Sequence, residues 1–251
     1  MQALKNIKCF IWRIKVYLTS FFNTKYENGV LKLIKGVIFD FDGLIVDTET
    51  TWYEAFKEVF WENHQTNLDL IGYSQCIGTG NDVLYRYFRE LAGDSINCEL
   101  IEEYAEVRYK DKMKEPVLRE GVKEYLVEAK QSHMRIALAS SSSKQWVHTY
   151  LEQLQIMEYF EIINTKDDVR KVKPDPELYN KTLMDLGLSP KETIVFEDSL
   201  NGLSAAKQAG IRCVIVPNNV TKNLEFKDFD ARIDSMGDIT LSELLKKLEG
   251  M

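Results

Sequence analysis

The chain has 251 residues, of which 45% are apolar and 28% charged, and its formal net charge is −7. This size fits one α/β core with a large insertion, or two modest domains. The acidic balance gives no general affinity for nucleic acid, so no nucleic-acid partner is expected. Scattered cysteines without a CxxC pair indicate reduced thiols in the cytoplasm. The three dispersed histidines give no zinc site and no Ser–His–Asp arrangement.

Residues 1–34 are predicted to form an N-terminal basic amphipathic extension. Between Lys5 and Lys35 almost every charge is basic, and apolar residues recur at helical spacing. Lys8, Arg13 and Lys15 make the segment too charged to span a bilayer. Membrane-surface contact is possible for such a helix. We favour instead a helix docked on its own domain, or upstream sequence read from a mis-assigned start.

From Lys35 onward, short apolar runs alternate with helical patterns, which predicts a parallel, doubly wound α/β sheet. Gly210 stands where a glycine just beyond a helix end belongs. The predicted strands are Val37–Phe41, Arg135–Ala139, Glu161–Asn164, Thr193–Phe196 and Cys213–Val216, and the clearest helices are Lys144–Leu154, Glu177–Leu186 and Leu200–Ala209.

The segment from about Thr50 to about Lys114 breaks this alternation. It is helical in pattern and contains no convincing strand. Its apolar residues fall on single helix faces, as with Phe56, Val59 and Phe60. We therefore expect a separate helical module inserted after the first strand.

Two aspartates, Asp40 and Asp42, close the first predicted strand and precede Gly43. Residues two apart on a strand start on the same face. Ligands of open α/β sheets bind at the carboxyl ends of the strands. Two uncompensated carboxylates there would repel each other, so a cation is expected. An acidic strand end that simply faces solvent is the alternative.

A second apolar run, Thr193–Phe196, also ends in acids, Glu197 and Asp198. Four carboxylates would then meet at one sheet edge. Oxygen-only ligands suit Mg²⁺, which is therefore the predicted cofactor. Capping of the next helix by Asp198 or Ser199 is a compatible role.

Two further segments offer groups that can bind an anion. Ser140 and Ser141 follow a predicted strand and precede a helix, where hydroxyls and free N–H groups can bind phosphate, although a plain serine turn explains them equally well. Asp175 is predicted to cap a helix with Pro176 at its first position. Lys173 then lies in the preceding loop, where it either neutralises a phosphate or is an ordinary surface lysine.

Taken in order, these motifs resemble those of the haloacid dehalogenase superfamily, from about Lys35 to the C-terminus. Within it the chain is similar to the β-phosphoglucomutase-like phosphatases, and to the bacterial group called YhcW-like. The segments that carry the resemblance are FDFDGLIVDTE, ASSS, VKPDPELY, FEDSLNG and CVIVPN.

The resemblance implies a five-stranded parallel core in the order 5-4-1-2-3, Rossmann-like, with an inserted α-helical cap. Residues 35–49 and 115–251 would form the catalytic core and residues 50–114 the cap, which closes over the substrate. The implied substrate is a small phosphorylated metabolite such as a sugar phosphate. The sequence gives no indication of the oligomeric state.

The resemblance also implies roles for individual residues. Asp40 would be the nucleophile that forms an aspartyl phosphate, and Asp42 the acid and base. Ser140, Ser141 and Lys173 would hold the transferring phosphate, with Thr48 as a further binding residue. Mg²⁺ would be bound by the residues Asp40, Asp42 (through its carbonyl), Asp198 and, directly or through water, Glu197.

Other activities of this superfamily fit the same residues less well. Asp42, Glu197 and Asp198 argue against a metal-free dehalogenase, and no cap lysine can be assigned to phosphonate cleavage. The main alternative is a β-phosphoglucomutase-type mutase, whose pattern has a histidine at Trp52 and an arginine at Asn81 in the loop Gly78–Asn81. The arginine's role could pass to a residue elsewhere in the cap: Arg86, Arg89 or Arg108. A non-catalytic phosphate- or metal-binding module ranks lowest, because every expected catalytic group is present.

Overall fold

The structure is a computed structural model that describes residues 34–77 and 81–249. The interpretation of residues 1–33 and of Gly78–Gly80 lies outside these ranges. No helix in the described ranges is long and apolar enough to cross a membrane.

A parallel sheet forms the centre of the molecule, with strand order β3-β2-β1-β4-β5-β6. The predicted fold class and the order of its five strands are confirmed. A sixth strand, which the sequence did not predict, joins the edge beside β5. The strands are β1 (Gly36–Phe39), β2 (Arg135–Ala139), β3 (Ile162–Asn164), β4 (Thr193–Glu197), β5 (Arg212–Ile215) and β6 (Ala231–Arg232).

Helices cover both faces of the sheet, because alternate strand residues are apolar on both sides. The covering helices are α5 (Val122–Gln131), α6 (Lys144–Gln153), α7 (Glu177–Leu186), α8 (Leu200–Gln208) and α9 (Leu241–Glu249). One face buries Phe39 and Phe196 under α5, α6 and α9, and the other buries Ile38 and Val195 under α7 and α8.

Of the five helices that the described ranges place between β1 and β2, four precede α5: α1 (Thr48–His64), α2 (Leu70–Ser74), α3 (Asn81–Ala92) and α4 (Cys98–Lys112). Their apolar residues face one another, with the ring of Phe88 from α3 lying 5.2 Å from that of Phe56 and 4.7 Å from that of Phe60, both on α1. Helix α4 packs along α1. The helical character predicted for this insertion is what the structure has.

One predicted helix cap is wrong. Pro176, and not Asp175, is the cap residue of α7, which begins at Glu177. The Asp175 side chain still accepts a hydrogen bond from the Glu177 amide at 3.0 Å. Asp175 therefore helps to begin the helix from one position further out. At α8 the expectation holds, because Gly210 follows the last residues of the helix with φ +73°.

Candidate active site

The ends of β1, β2 and β4 bring the candidate residues together. In the sheet register Phe39 is paired with Leu138 on one side and Phe196 on the other. Asp40 and Ser140 directly follow β1 and β2, while Glu197 ends β4 and Asp198 comes next, so these residues lie side by side. Asp40 is anchored by its amide, which donates to the Phe196 carbonyl at 3.1 Å.

Lys173 reaches this edge from the loop before α7 and is almost completely buried. Its ammonium group donates to Asp40 Oδ1 at 2.5 Å, to Glu197 Oε1 at 2.7 Å and to the Ala139 carbonyl at 2.7 Å. Burial lowers the pKa of Lys173, but the Asp40 and Glu197 carboxylates outweigh it, so the pKa is raised. The side chain is thus a permanent cation shared by two carboxylates.

Glu197 is fully buried, and both of its oxygens are hydrogen-bonded. Besides Lys173, Oε1 accepts from the Tyr179 hydroxyl at 2.5 Å, and Oε2 accepts from the Ser199 hydroxyl at 3.1 Å and the Asp198 amide at 3.2 Å. A buried charge needs this full set of partners. These contacts make Glu197 an orienting partner of Lys173.

Asp198 is buried beside these groups and accepts a hydrogen bond from Asn218 Nδ2 at 2.7 Å. Burial, followed by the charges of Asp40 and Glu197, raises its pKa well above the ordinary value. Burial likewise raises the pKa of Asp40, against the opposing effect of Lys173. The raised pKa values mean that neighbouring positive charge does not fully compensate the ionised forms of Asp40 and Asp198.

Oxygens of Asp40, Glu197 and Asp198 lie within 4.8 Å of one another, a spacing that could hold a metal ion. Three buried carboxylates face the ammonium group of Lys173, and Arg119 adds a smaller positive contribution at Asp198, so a divalent cation would offset the remaining negative charge. The all-oxygen donor set fits Mg²⁺. The Asp42 carboxylate is hydrogen-bonded elsewhere, so a metal role for Asp42 would fall to its carbonyl.

The Asp42 side chain is held by the segment that follows β2. Its Oδ2 accepts from the Ser142 hydroxyl at 2.6 Å and the Ser140 hydroxyl at 3.3 Å, and its Oδ1 accepts from Trp146 Nε1 at 2.9 Å. The serine run continues into Ser143, which caps α6. The two aspartates of the motif thus have separate partners, Lys173 for Asp40 and this serine segment for Asp42.

The remaining candidates lie around this edge with different exposure. Ser140 is buried and Ser141 is exposed. Thr48 is the first residue of α1, and its hydroxyl is buried without a hydrogen-bond partner in the part of the chain that the structure describes. A buried hydroxyl without a partner is costly unless a ligand satisfies it.

The loop after Asp42 turns at Gly43, whose φ is +76°. A Cβ there would lie 2.1 Å from Asp198 Oδ2, so glycine allows the close approach of the two acidic segments. Arg119 fixes the same loop by donating to the Gly43 carbonyl at 2.5 Å and the Pro217 carbonyl at 2.7 Å.

Several of these contributors had no predicted role of their own: Tyr179, Asn218, Arg119, Ser142 and Trp146. Tyr179, Asn218 and Ser142 lie inside the motif segments VKPDPELY, CVIVPN and ASSS, so motif membership was the available signal. Arg119 and Trp146 carry no local signal, because their partners are far away in the chain, at Gly43 and Asp42.

The residues that bear on the mutase alternative have other partners. Trp52 stacks on Tyr109, with ring centroids 4.1 Å apart, and Arg108 forms ion pairs with Glu58 and Glu62 on α1. Asn81 begins α3 and is exposed. The Arg108 guanidinium is therefore already paired with two carboxylates of α1.

The sequence model of the haloacid dehalogenase-like hydrolase family matches residues 37–216, which include four of the five motif segments and most of the fifth, CVIVPN. The chain belongs to this family. Among relatives of this haloacid dehalogenase-like hydrolase, "Putative phosphatase YhcW" of Bacillus subtilis is 45% identical over 217 residues, covering 86% of this chain and 98% of the relative. "Phosphorylated carbohydrates phosphatase" of Thermotoga maritima is 31% identical, covering 71% of this chain and 82% of the relative.

Solved structures give the same family. The structure of a CbbY variant from Rhodobacter sphaeroides, in complex with xylulose-(1,5)bisphosphate, is 30% identical to this haloacid dehalogenase-like hydrolase. It covers 84% of this chain and 99% of CbbY with a TM-score of 0.64. The predicted membership and its link to YhcW-like proteins are thereby confirmed.

Proposed function

We propose that this haloacid dehalogenase-like hydrolase is a magnesium-dependent phosphatase that hydrolyses small phosphate monoesters through an aspartyl phosphate on Asp40. One observation carries the proposal. Asp40, at the end of the central strand, is paired with the buried ammonium group of Lys173, and a second carboxylate, Asp42, stands two residues away beside Ser140.

In the first half-reaction a carboxylate oxygen of Asp40 attacks phosphorus, and the bond between phosphorus and the ester oxygen breaks. Asp42 donates a proton to the departing alkoxide, so a neutral alcohol leaves. In the second half-reaction Asp42 takes a proton from a water molecule, which attacks phosphorus and displaces Asp40. Such proton transfer contributes about 10²–10⁴ in rate.

The phosphoryl oxygens would be held by the Ser140 hydroxyl, the Ser141 amide and Lys173. Lys173 already contacts Asp40, so its charge is placed where negative charge develops in the transition state. Thr48 offers the substrate a buried hydroxyl that has no hydrogen-bond partner among the residues the structure describes.

Mg²⁺ would be held by Asp40, the Asp42 carbonyl and Asp198, with Glu197 contributing through water. When bound, the metal neutralises the attacking carboxylate and the transferring phosphoryl group. Glu197 meanwhile keeps Lys173 in place, because the two side chains share a hydrogen bond.

Sugar phosphates and related metabolites are the proposed substrates. Two relatives carry this expectation, a phosphatase named for phosphorylated carbohydrates and a CbbY variant solved with a bisphosphorylated pentulose. We further propose that residues 50–114 form a cap that closes over such a substrate. The buried, free thiols of Cys98 and Cys213 support a cytoplasmic location.

A mutase is the alternative, and Trp52 is the residue that argues against it. In the described structure its ring is stacked between Phe56 and Tyr109 and offers no acid–base group. The test is to incubate the protein with Mg²⁺ and a set of sugar monophosphates. We expect release of inorganic phosphate, and negligible conversion of β-glucose 1-phosphate to glucose 6-phosphate. Fast isomerisation without phosphate release would reverse the assignment.

A further inference from the structure

Trp146, in the first turn of α6, donates its indole N–H to Oδ1 of Asp42 at 2.9 Å. The other oxygen of the same carboxylate accepts from the hydroxyls of Ser142 and Ser140. Asp42 is therefore fixed at both oxygens, by one indole and two hydroxyls.

The two kinds of partner differ in chemistry. An indole nitrogen only donates a hydrogen bond, whereas a serine hydroxyl rotates and either donates or accepts. A proton on Oδ1 would face the indole N–H, but a proton on Oδ2 can be accepted by a serine oxygen. The contact from Trp146 thus reserves Oδ2 as the oxygen that carries the proton.

Aromatic contacts set the position of the Trp146 ring. It stacks on Tyr109 with centroids 5.9 Å apart and an interplanar angle of 20°, and it meets the edge of Tyr150 at 4.5 Å. Tyr109 stacks in turn on Trp52 at 4.1 Å and 11°. Tyr109 is on α4 and Trp52 on α1, so the column joins the inserted helices to the partner of Asp42.

The ring of Tyr109 carries this contact, and its hydroxyl does not. The side chain is buried, and its hydroxyl has no hydrogen-bond partner within residues 34–77 and 81–249. Stacked rings resist sliding because each displacement loses contact area. A shift of α4 would therefore move the indole and the hydrogen bond to Asp42.

We propose that Trp146 is a positioning residue for the acid–base step, because it holds Asp42 with Oδ2 free to exchange the proton. The position of the Trp146 ring is in turn fixed by its stacking on Tyr109. The proposal rests on the acid–base role proposed above for Asp42. It adds that the inserted helices act on proton transfer through an aromatic column.

Trp146→Phe is the central variant, because it keeps an aromatic ring and removes only the N–H donor. We expect kcat for a sugar phosphate to fall about tenfold, as for loss of a hydrogen bond to a charged group, with little change in KM. Trp61→Phe, at a half-exposed tryptophan on α1, is the matched control and should keep wild-type kinetics.

A double-mutant cycle separates positioning from general destabilisation. In an Asp42→Asn background, Trp146→Phe should lower the residual rate no further, because the group through which it acts is gone. A tenfold loss in both backgrounds would overturn the proposal, as would wild-type kcat and KM in Trp146→Phe. Failure of the wild-type protein to release phosphate would instead refute the proposed function.

Tyr109→Leu tests the column. We expect the same fall in kcat as in Trp146→Phe and no further fall in the double variant. Tyr109→Met, whose unbranched side chain adapts better to an irregular cavity, replaces it if Tyr109→Leu lowers the melting temperature strongly. Wild-type kcat in a folded Tyr109 variant, or losses that multiply in the double variant, would refute the coupling to the inserted helices.

Discussion

Gly202 lies directly against the carboxylate of Glu197: a Cβ at Gly202 would stand 1.8 Å from Cδ of Glu197. No other residue type allows helix α8 to begin so close to the buried acid. Glu197 in turn orients Lys173 toward Asp40. A backbone position on α8 therefore determines the geometry of the candidate nucleophile.

We predict that Gly202→Ala destabilises the protein by about 1–3 kcal/mol, the cost of forcing an extra methyl group into a packed site. This reverses the usual gain from replacing glycine by alanine within a helix. Thermal unfolding and phosphatase assays measure the two effects. Ser204→Ala, at an exposed position of the same helix, is the control and should leave both properties intact. An unchanged melting temperature for Gly202→Ala would contradict the packing.

We predict that Lys173→Met lowers kcat at least about 10²-fold, as loss of a charged partner of the transition state typically does. The substitution also leaves Asp40 and Glu197 without their shared cation. Lys171→Met is the matched control, because Lys171 is exposed and forms a long ion pair with Asp175 at 3.5 Å. Steady-state kinetics of both variants test this prediction. A kcat for Lys173→Met equal to that of Lys171→Met would show that Lys173 has no catalytic role.

We predict that Mg²⁺ stabilises the protein more as the pH rises. Burial raises the pKa of Asp40 to about 8 and raises that of Asp198 well above its ordinary value. In the unfolded chain these groups lose their protons near pH 4. The metal-free folded state therefore loses stability as the pH rises from about 4 to about 8, because it must accept charges that the unfolded chain accepts freely.

The measurement is the melting temperature in chelator and in excess Mg²⁺ between pH 5.5 and 8. The upward shift caused by Mg²⁺ should grow across this range, because the metal replaces the protons. Asp198→Asn should show a smaller shift with a weaker dependence on pH. A shift that is the same at every pH would argue against a metal at these carboxylates, as would full turnover in excess chelator.

We predict that deletion of residues 1–33 leaves a stable and active phosphatase. Every candidate site residue lies between Asp40 and Asp198, and the family match begins at residue 37. Solubility, melting temperature and turnover of the full-length and shortened proteins test this. Precipitation or loss of most of the turnover would show that the segment belongs to the fold. Salt-sensitive co-sedimentation of the full-length protein with anionic vesicles would instead indicate lipid binding.

The sheet was predictable because the apolar runs before Asp40 and Glu197 are continuous and end in acids. Strand β6 was not, since the two residues Ala231–Arg232 have no periodicity of their own and extend only because β5 pairs with them. The cap of α7 was misplaced by one residue, because Asp175 and Pro176 each carry a valid start signal.

The site shows a similar division. Motif order and the superfamily resemblance selected Asp40, Lys173 and Asp198 as candidates, and the fold places them at one edge. The partner of Asp42 was beyond reach, because the indole of Trp146 approaches it from 104 residues further along the chain. Contacts of this kind depend on side-chain packing between elements, which no local pattern encodes.

The central position of β1 has a consequence for biosynthesis. Gly36 pairs with Arg135 on one side and Thr193 on the other, about 100 and about 160 residues further along the chain. During translation, β1 leaves the ribosome long before β2 and β4. This apolar strand therefore has no pairing partner until most of the chain has been made. Such high contact order slows folding and exposes an aggregation-prone segment. Newly made chains should therefore depend on chaperones that shield this strand.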